Sequence, residues 1–165
     1  MGKDQTNLLA EYKAHLVTWN KTHNLISKKQ AQKIDDHIAD SLIISPFLNK
    51  NIIDLGSGGG LPGIPLAIIN PDKEFYLIES NTKKSSFLLH TTSRLSLENT
   101  SVINKRIEKV ETKTFPESFD IVCRAVGSTE FIISLIAPLL QKTCLLYTSD
   151  AADEGLGVDL GGRRI

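Results

Sequence analysis

The run Ile53-Asp54-Leu55-Gly56-Ser57-Gly58-Gly59-Gly60-Leu61-Pro62-Gly63-Ile64-Pro65 carries an apolar strand end into a glycine loop and then into an apolar helix. Residues without a Cβ let backbone amides approach a ligand closely, so the run reads as a nucleotide cradle. Ile52 and Ile53 supply the strand, and Ile64, Leu66, Ala67, Ile68 and Ile69 supply the apolar helix. Pro65 falls in that helix's first turn, where a missing N–H costs nothing. Two ligands fit the loop. Gly58-x-Gly60-x-x-Gly63, with Glu79 following at about the ~20-residue spacing of a ribose-binding acid, satisfies the dinucleotide fingerprint of an NAD(P) oxidoreductase. Asp54-x-Gly56-x-Gly58-x-Gly60 equally reads as a loop for S-adenosylmethionine.

Three further strand ends would deliver chemistry to the same crevice. Phe75-Tyr76-Leu77-Ile78 ends at Glu79-Ser80, where an acid accepts hydrogen bonds from two ribose hydroxyls or is simply solvated. Lys105-Arg106-Ile107-Glu108 either pairs its backbone with an adenine edge, with Ile107 packed on the ring, or is a plain charged loop. Phe119-Asp120-Ile121-Val122-Cys123 ends at Arg124, which meets an anionic ligand or an RNA phosphate, or pairs with Glu79 or Asp120. Cys123 and Cys144 make no metal spacing and no disulfide framework, and Cys123 reads as a small core residue.

The elements that position these residues alternate. Strands are expected at 51–55, 75–79, 101–104 and 119–123, and helices at about 63–69, 82–96 and 128–140. Such alternation implies an α/β, doubly wound parallel sheet whose ligands sit at the carboxyl ends of its strands. Ahead of it lies a helical extension, residues 1–49. Leu8, Leu9, Tyr12, Leu16 and Trp19 recur at helical spacing, and the pattern predicts a second helix from Ala31 to Leu48. His37 and Asp40 share a face of that second helix, which either points toward the crevice or makes a contact between the extension and the sheet, the structural role being the expected one.

Composition narrows the class. The 165 residues suit one domain, and 41% hydrophobic content suffices for a core. Equal numbers of acidic and basic residues, 19 each, argue against a strongly electrostatic nucleic-acid binder while leaving room for a local basic patch. No apolar run approaches the ~18 residues of a membrane span, and the N-terminus lacks a signal core, so a cytoplasmic protein with no membrane partner and no metal is expected.

Several segments are distinctive together: Trp19-Asn20 with Asn24-Leu25, His37 with Asp40-Ser41-Leu42, the loop from Asp54 to Pro65, Glu79-Ser80 with Lys83-Lys84 and Phe87-Leu88, Arg106-Ile107-Glu108, and Arg124-Ala125-Val126. On these segments, spread over roughly residues 8–142, the chain resembles the bacterial small-subunit (16S) ribosomal RNA methyltransferase G family, also called glucose-inhibited division protein B. The Leu61-Pro62-Gly63-Ile64-Pro65 tail of the loop and the His-x-x-Asp-Ser segment carry the resemblance beyond the glycines and favour S-adenosylmethionine over NAD.

The resemblance implies a Rossmann-like class I fold and methyl transfer from S-adenosylmethionine to N7 of a guanine in small-subunit ribosomal RNA. It implies cofactor contacts at Gly56, Leu61, Ile107, Glu108 and Arg124, with Glu79 at the ribose; Asp54, Gly58 and Ser80 complete the expected site. No catalytic residue is expected, because N7 carries a free lone pair at neutral pH and needs orientation more than a base. The implied partner is the RNA or the 30S subunit, met by a monomer. Lys28, Lys29, Lys83, Lys84, Arg94, Lys105 and Arg106 are candidate RNA contacts.

After Leu140 the sequence departs from that family. Residues 144–165 resemble the translation of a transposase-based sequencing-library adapter, so the expected division is 1–49 helical extension, 50–143 an incomplete methyltransferase domain and 144–165 an artefactual tail. The tail holds two arginines against four acids, leaving 17 basic and 15 acidic groups in residues 1–143. Cys144 to Thr148 suit a makeshift fifth strand, and no stable packing is expected beyond Ser149. With the family's last strands missing, impaired activity is expected, down to an inactive ribosome-interacting fragment.

Overall fold

The computed structural model describes residues 3–124 and 126–149. Residues 1, 2, 125 and 150–165 lie outside them, and so does the expectation about packing beyond Ser149.

Among the described residues, five strands form one parallel sheet: β1 (Asn51–Leu55), β2 (Glu74–Ile78), β3 (Thr100–Ile103), β4 (Phe119–Arg124) and β5 (Thr143–Ser149), in the order β3-β2-β1-β4-β5. The central strands are buried along almost their whole length, because helices cover both faces, and this is why β1 and β4 are mostly apolar, each broken by one buried aspartate, Asp54 and Asp120. The order reverses between β1 and β4, which opens a crevice at their carboxyl ends. This is the Rossmann-like arrangement expected. Residues 144–148 do enter the sheet: β5 pairs parallel with β4, placing Leu145 opposite Asp120 and Tyr147 opposite Val122.

Helix α1 (Lys3–His23) buries Leu9, Tyr12 and Leu16 on one stripe. It lies against α4 (Gly63–Ile69) and α5 (Thr82–Arg94), and His15 stacks on Phe87 at 5.4 Å between centroids. Trp19 packs against the same Phe87, at 5.5 Å, as part of the cluster that joins the extension to the sheet. α6 (Thr129–Ile136) covers the opposite face, with Ile132 and Ile136 buried beside Phe119 and Ile121. Cys123 is buried in that second cluster, as a small core residue.

The single helix expected over 31–48 is corrected by the structure. It is replaced by α2 (Lys28–Gln32), α3 (Ile34–Ile43) and a tight turn at Ser45–Phe47. A capping box starts α2 early: the Ser27 Oγ accepts from the Gln30 N–H at 3.1 Å, and the Gln30 Oε1 accepts from the Ser27 N–H at 2.9 Å. Lys33, at φ −112° and ψ 30°, then leaves helical geometry and splits the run. At the far end Pro46 removes the N–H that would continue it.

Candidate functional site

The site begins where β1 ends. The Gly56 and Ser57 amides both donate to the carbonyl of Ile78, at 2.9 and 3.1 Å, which ties the glycine loop to the end of β2. Gly56 has φ +71°, and a Cβ there would stand 2.8 Å from a methyl of Val126, so the strand–loop corner closes only around glycine. At Gly63, the first residue of α4, a Cβ would lie 2.4 Å from Asp54 Oδ2 and 2.5 Å from Leu77 Cδ2. The helix therefore starts in direct contact with the strand it follows.

Asp54 is fully buried under this loop. Its Oδ2 accepts from the Gly63 N–H at 3.1 Å, while Oδ1 finds no partner among the described residues. Burial pushes the carboxyl up to about 7, against the lowering effect of the Gly63 bond. The loop is also held from outside the sheet. Tyr12, fully buried on α1, donates its hydroxyl to the Gly59 carbonyl at 2.7 Å.

Glu79 follows β2 and is 7% exposed. Its Oε2 accepts from the Gly58 N–H at 2.9 Å and its Oε1 from the Asn81 N–H at 2.7 Å, so one carboxylate links the glycine loop to the start of α5. Asn104, just after β3, donates to the Glu79 carbonyl at 2.7 Å. These contacts border a crevice of about 240 Å³. Gly56, Glu79, Ser80, Ile107 and Glu108 line it, and Val126, Phe131 and Leu135 give it an apolar wall.

The structure thus brings five of the nine expected cofactor residues to one crevice and puts Gly58 one hydrogen bond away, on Glu79. The remaining three stand elsewhere. Asp54 and Leu61 lie in the interior behind the loop, Leu61 among the side chains of α1 and α5. Arg124 reaches α3, where Nη1 donates to the His37 carbonyl at 3.2 Å and Nη2 bonds His37 Nδ1. Neither Glu79 nor Asp120 is its partner; Asp120 instead accepts from Asn49 through N at 2.6 Å and Nδ2 at 2.9 Å. Burial, and then the Arg124 charge, lower the His37 pKa, which keeps Nδ1 an acceptor. His37 accordingly ties the helical extension to the sheet.

Of the candidate RNA contacts, Arg94 is committed to Glu11, Nε to Oε1 at 2.9 Å. Lys105 and Arg106 line the crevice, and Lys83 and Lys84 open α5 beside it. Sequence reasoning placed Tyr12 only on an apolar stripe and passed over Asn104 and Phe131. A phenol inside such a stripe is the one signal available, since a buried hydroxyl needs a partner.

Residues 5–154 match the family described as rRNA small subunit methyltransferase G. A ribosomal RNA small subunit methyltransferase G of Hydrogenovibrio crunogenus is 38% identical over 135 residues, covering 81% of this chain and 62% of that protein. The protein of the same name from Dichelobacter nodosus is 46% identical over 104 residues, covering 61% of this chain and 49% of its own length. The chain therefore spans about half to three-fifths of these curated relatives. Among solved structures, a precorrin-6y C5,15-methyltransferase from Geobacter metallireducens superposes with TM-score 0.57 at 14% identity, over 77% of this chain and 64% of that one, and shows the same fold.

Proposed function

Because the chain belongs to the ribosomal RNA small subunit methyltransferase G family, we propose that it binds S-adenosylmethionine at the carboxyl ends of β1, β2 and β3 and methylates N7 of a guanine in small-subunit ribosomal RNA. The observation that carries this reading is the position of Glu79. It sits at the crevice between the glycine loop and the start of α5, with both oxygens fixed by backbone amides. A carboxylate offers about four acceptor positions, so each oxygen keeps one for a ribose hydroxyl. The apolar wall of Ile107, Val126, Phe131 and Leu135 suits an adenine ring, and the glycine corner at Gly56 leaves room for backbone approach. The residues present fit the cofactor.

When bound, S-adenosylmethionine supplies an electrophilic sulfonium methyl group. The chain's task is then to hold, orient and shield. Glu79, Ser80, Ile107 and Glu108 would hold the nucleoside, and the loop from Gly56 to Gly60 would hold the amino-acid end. The described residues lining the crevice include no histidine and no cysteine. N7 of guanine is the nucleophile this arrangement suits, since its lone pair needs no base and placement alone supplies most of the rate.

The partner in this reading is small-subunit ribosomal RNA, free or within the 30S subunit, met by a cytoplasmic monomer. No helix among the described residues is long and apolar enough to cross a membrane. Transfer of label from methyl-tritiated S-adenosylmethionine into small-subunit RNA tests the activity. Label recovered as 7-methylguanine is the expected result, and label confined to another atom or another RNA would refute the assignment.

A further inference from the structure

Next to the crevice lies a second, wider concavity of about 700 Å³ between the ends of β2 and β3. Ser80, Asn81, Asn104, Lys105, Arg106 and Lys109 line it, and the two spaces share Ser80, Lys105 and Arg106. The chemistry of this lining is one-sided. Lys105, Arg106 and Lys109 are donors without acceptor capacity, and no carboxylate lines the groove. Glu108, the acid within the segment, lines the neighbouring crevice instead. None of the three cations pairs with a carboxylate among the described residues, whereas Lys13, Arg94 and Lys113 are paired with Asp35, Glu11 and Glu111.

Two asparagine side chains, each bonded to backbone, hold the groove's shape. Asn104 is fixed by its amide's bond to the Glu79 carbonyl, and the Asn81 side chain is fixed by accepting from the Lys83 and Lys84 N–H groups at 3.0 and 3.2 Å. Ser80, Lys105 and Arg106 are the common border of the crevice and the groove. Any strand lying in it runs past the mouth of the proposed cofactor site.

We propose that this groove holds phosphodiester groups of the RNA strand, with Lys105, Arg106 and Lys109 as the phosphate contacts; the proposal rests on the reading of the crevice as the cofactor site of an RNA methyltransferase. Phosphate oxygens are acceptors only, which matches a donor lining, and three unpaired cations in one concavity provide a sequence-independent hold. Such contacts position the strand, while the choice of base belongs to the crevice.

The test measures binding of a small-subunit ribosomal RNA transcript across a salt series, together with calorimetric titration of S-adenosylhomocysteine. Lys109→Glu, whose side chain borders the groove but not the crevice, should bind S-adenosylhomocysteine as the unaltered chain does. Its RNA affinity should fall about tenfold, with the salt slope lower by about one. The double variant K105E/K109E should weaken RNA further. Unchanged RNA affinity and salt slope in the double variant would overturn the proposal while leaving the cofactor site intact. Saturable binding of inorganic phosphate that Lys109→Glu abolishes, with RNA binding unaffected, would assign the groove to a small anion and also overturn it. An unaltered chain that binds S-adenosylhomocysteine but no RNA would instead remove the RNA reading itself.

Discussion

On the β1 side of the crevice the glycine loop is enclosed: Asp54 and Tyr12 reach it from beneath and from α1, and Gly56 and Ser57 are tied to Ile78. On the β3 side Lys105, Arg106 and Lys109 are exposed and line an open groove, beside Asn104, whose amide is held by the Glu79 carbonyl. The difference separates two tasks. The loop's shape belongs to the fold and is fixed by buried contacts before any ligand arrives, whereas the recognition of RNA proposed above is left to groups that remain solvated. Glu79 stands on the boundary, a buried carboxylate with one oxygen on each side.

If that division holds, substitutions on the enclosed side change stability first. Gly63→Ala should have the largest effect, because its Cβ would displace a buried carboxylate and a buried leucine together. A loss of about 3 kcal/mol or more is expected in denaturant unfolding. A variant as stable as the parent would show that the loop side is soft.

Asp54→Asn sharpens the same comparison through pH. The folded carboxyl, raised from 3.8 to about 7, binds its proton more tightly than the unfolded one. This group's contribution to stability is therefore full below about pH 4 and is lost as pH rises toward 7, an effect on the order of a few kcal/mol. The asparagine variant cannot ionise there, so its stability relative to the parent should rise over that interval. Parallel melting-temperature profiles would contradict the burial argument.

Glu79→Gln addresses the boundary. One backbone N–H would face an amide NH₂ instead of an oxygen, and a ribose acceptor would be lost, so affinity for S-adenosylhomocysteine should fall about tenfold or more by calorimetry. A drop in stability without any change in affinity would move Glu79 wholly to the structural side. Tyr12→Phe is the smallest of the four. It leaves the Gly59 carbonyl without its donor and should cost about 1 to 2 kcal/mol of stability. An unchanged melting temperature would show that α1 does not brace the loop.

The same division explains what the sequence made legible. The strands could be read from short apolar runs, and the glycine corner from residue types adjacent in the chain. The break at Lys33 could not, because the pattern of apolar residues continues through it while a cap at Ser27 resets the helix start. Tyr12 and Gly59 lie 47 residues apart, and no local pattern announces their bond. Arg124 could be placed at a strand end, yet its partner on α3 is 87 residues away. The groove likewise forms from Ser80-Asn81 and the segment after β3, which meet only because β2 and β3 are neighbours in the sheet.

The most direct test of the account is calorimetric titration of the unaltered chain with S-adenosylhomocysteine and, separately, with NAD. Saturable one-site binding of S-adenosylhomocysteine and no heat from NAD is the predicted result. Binding of NAD in preference, or of neither ligand by a folded chain, would contradict it.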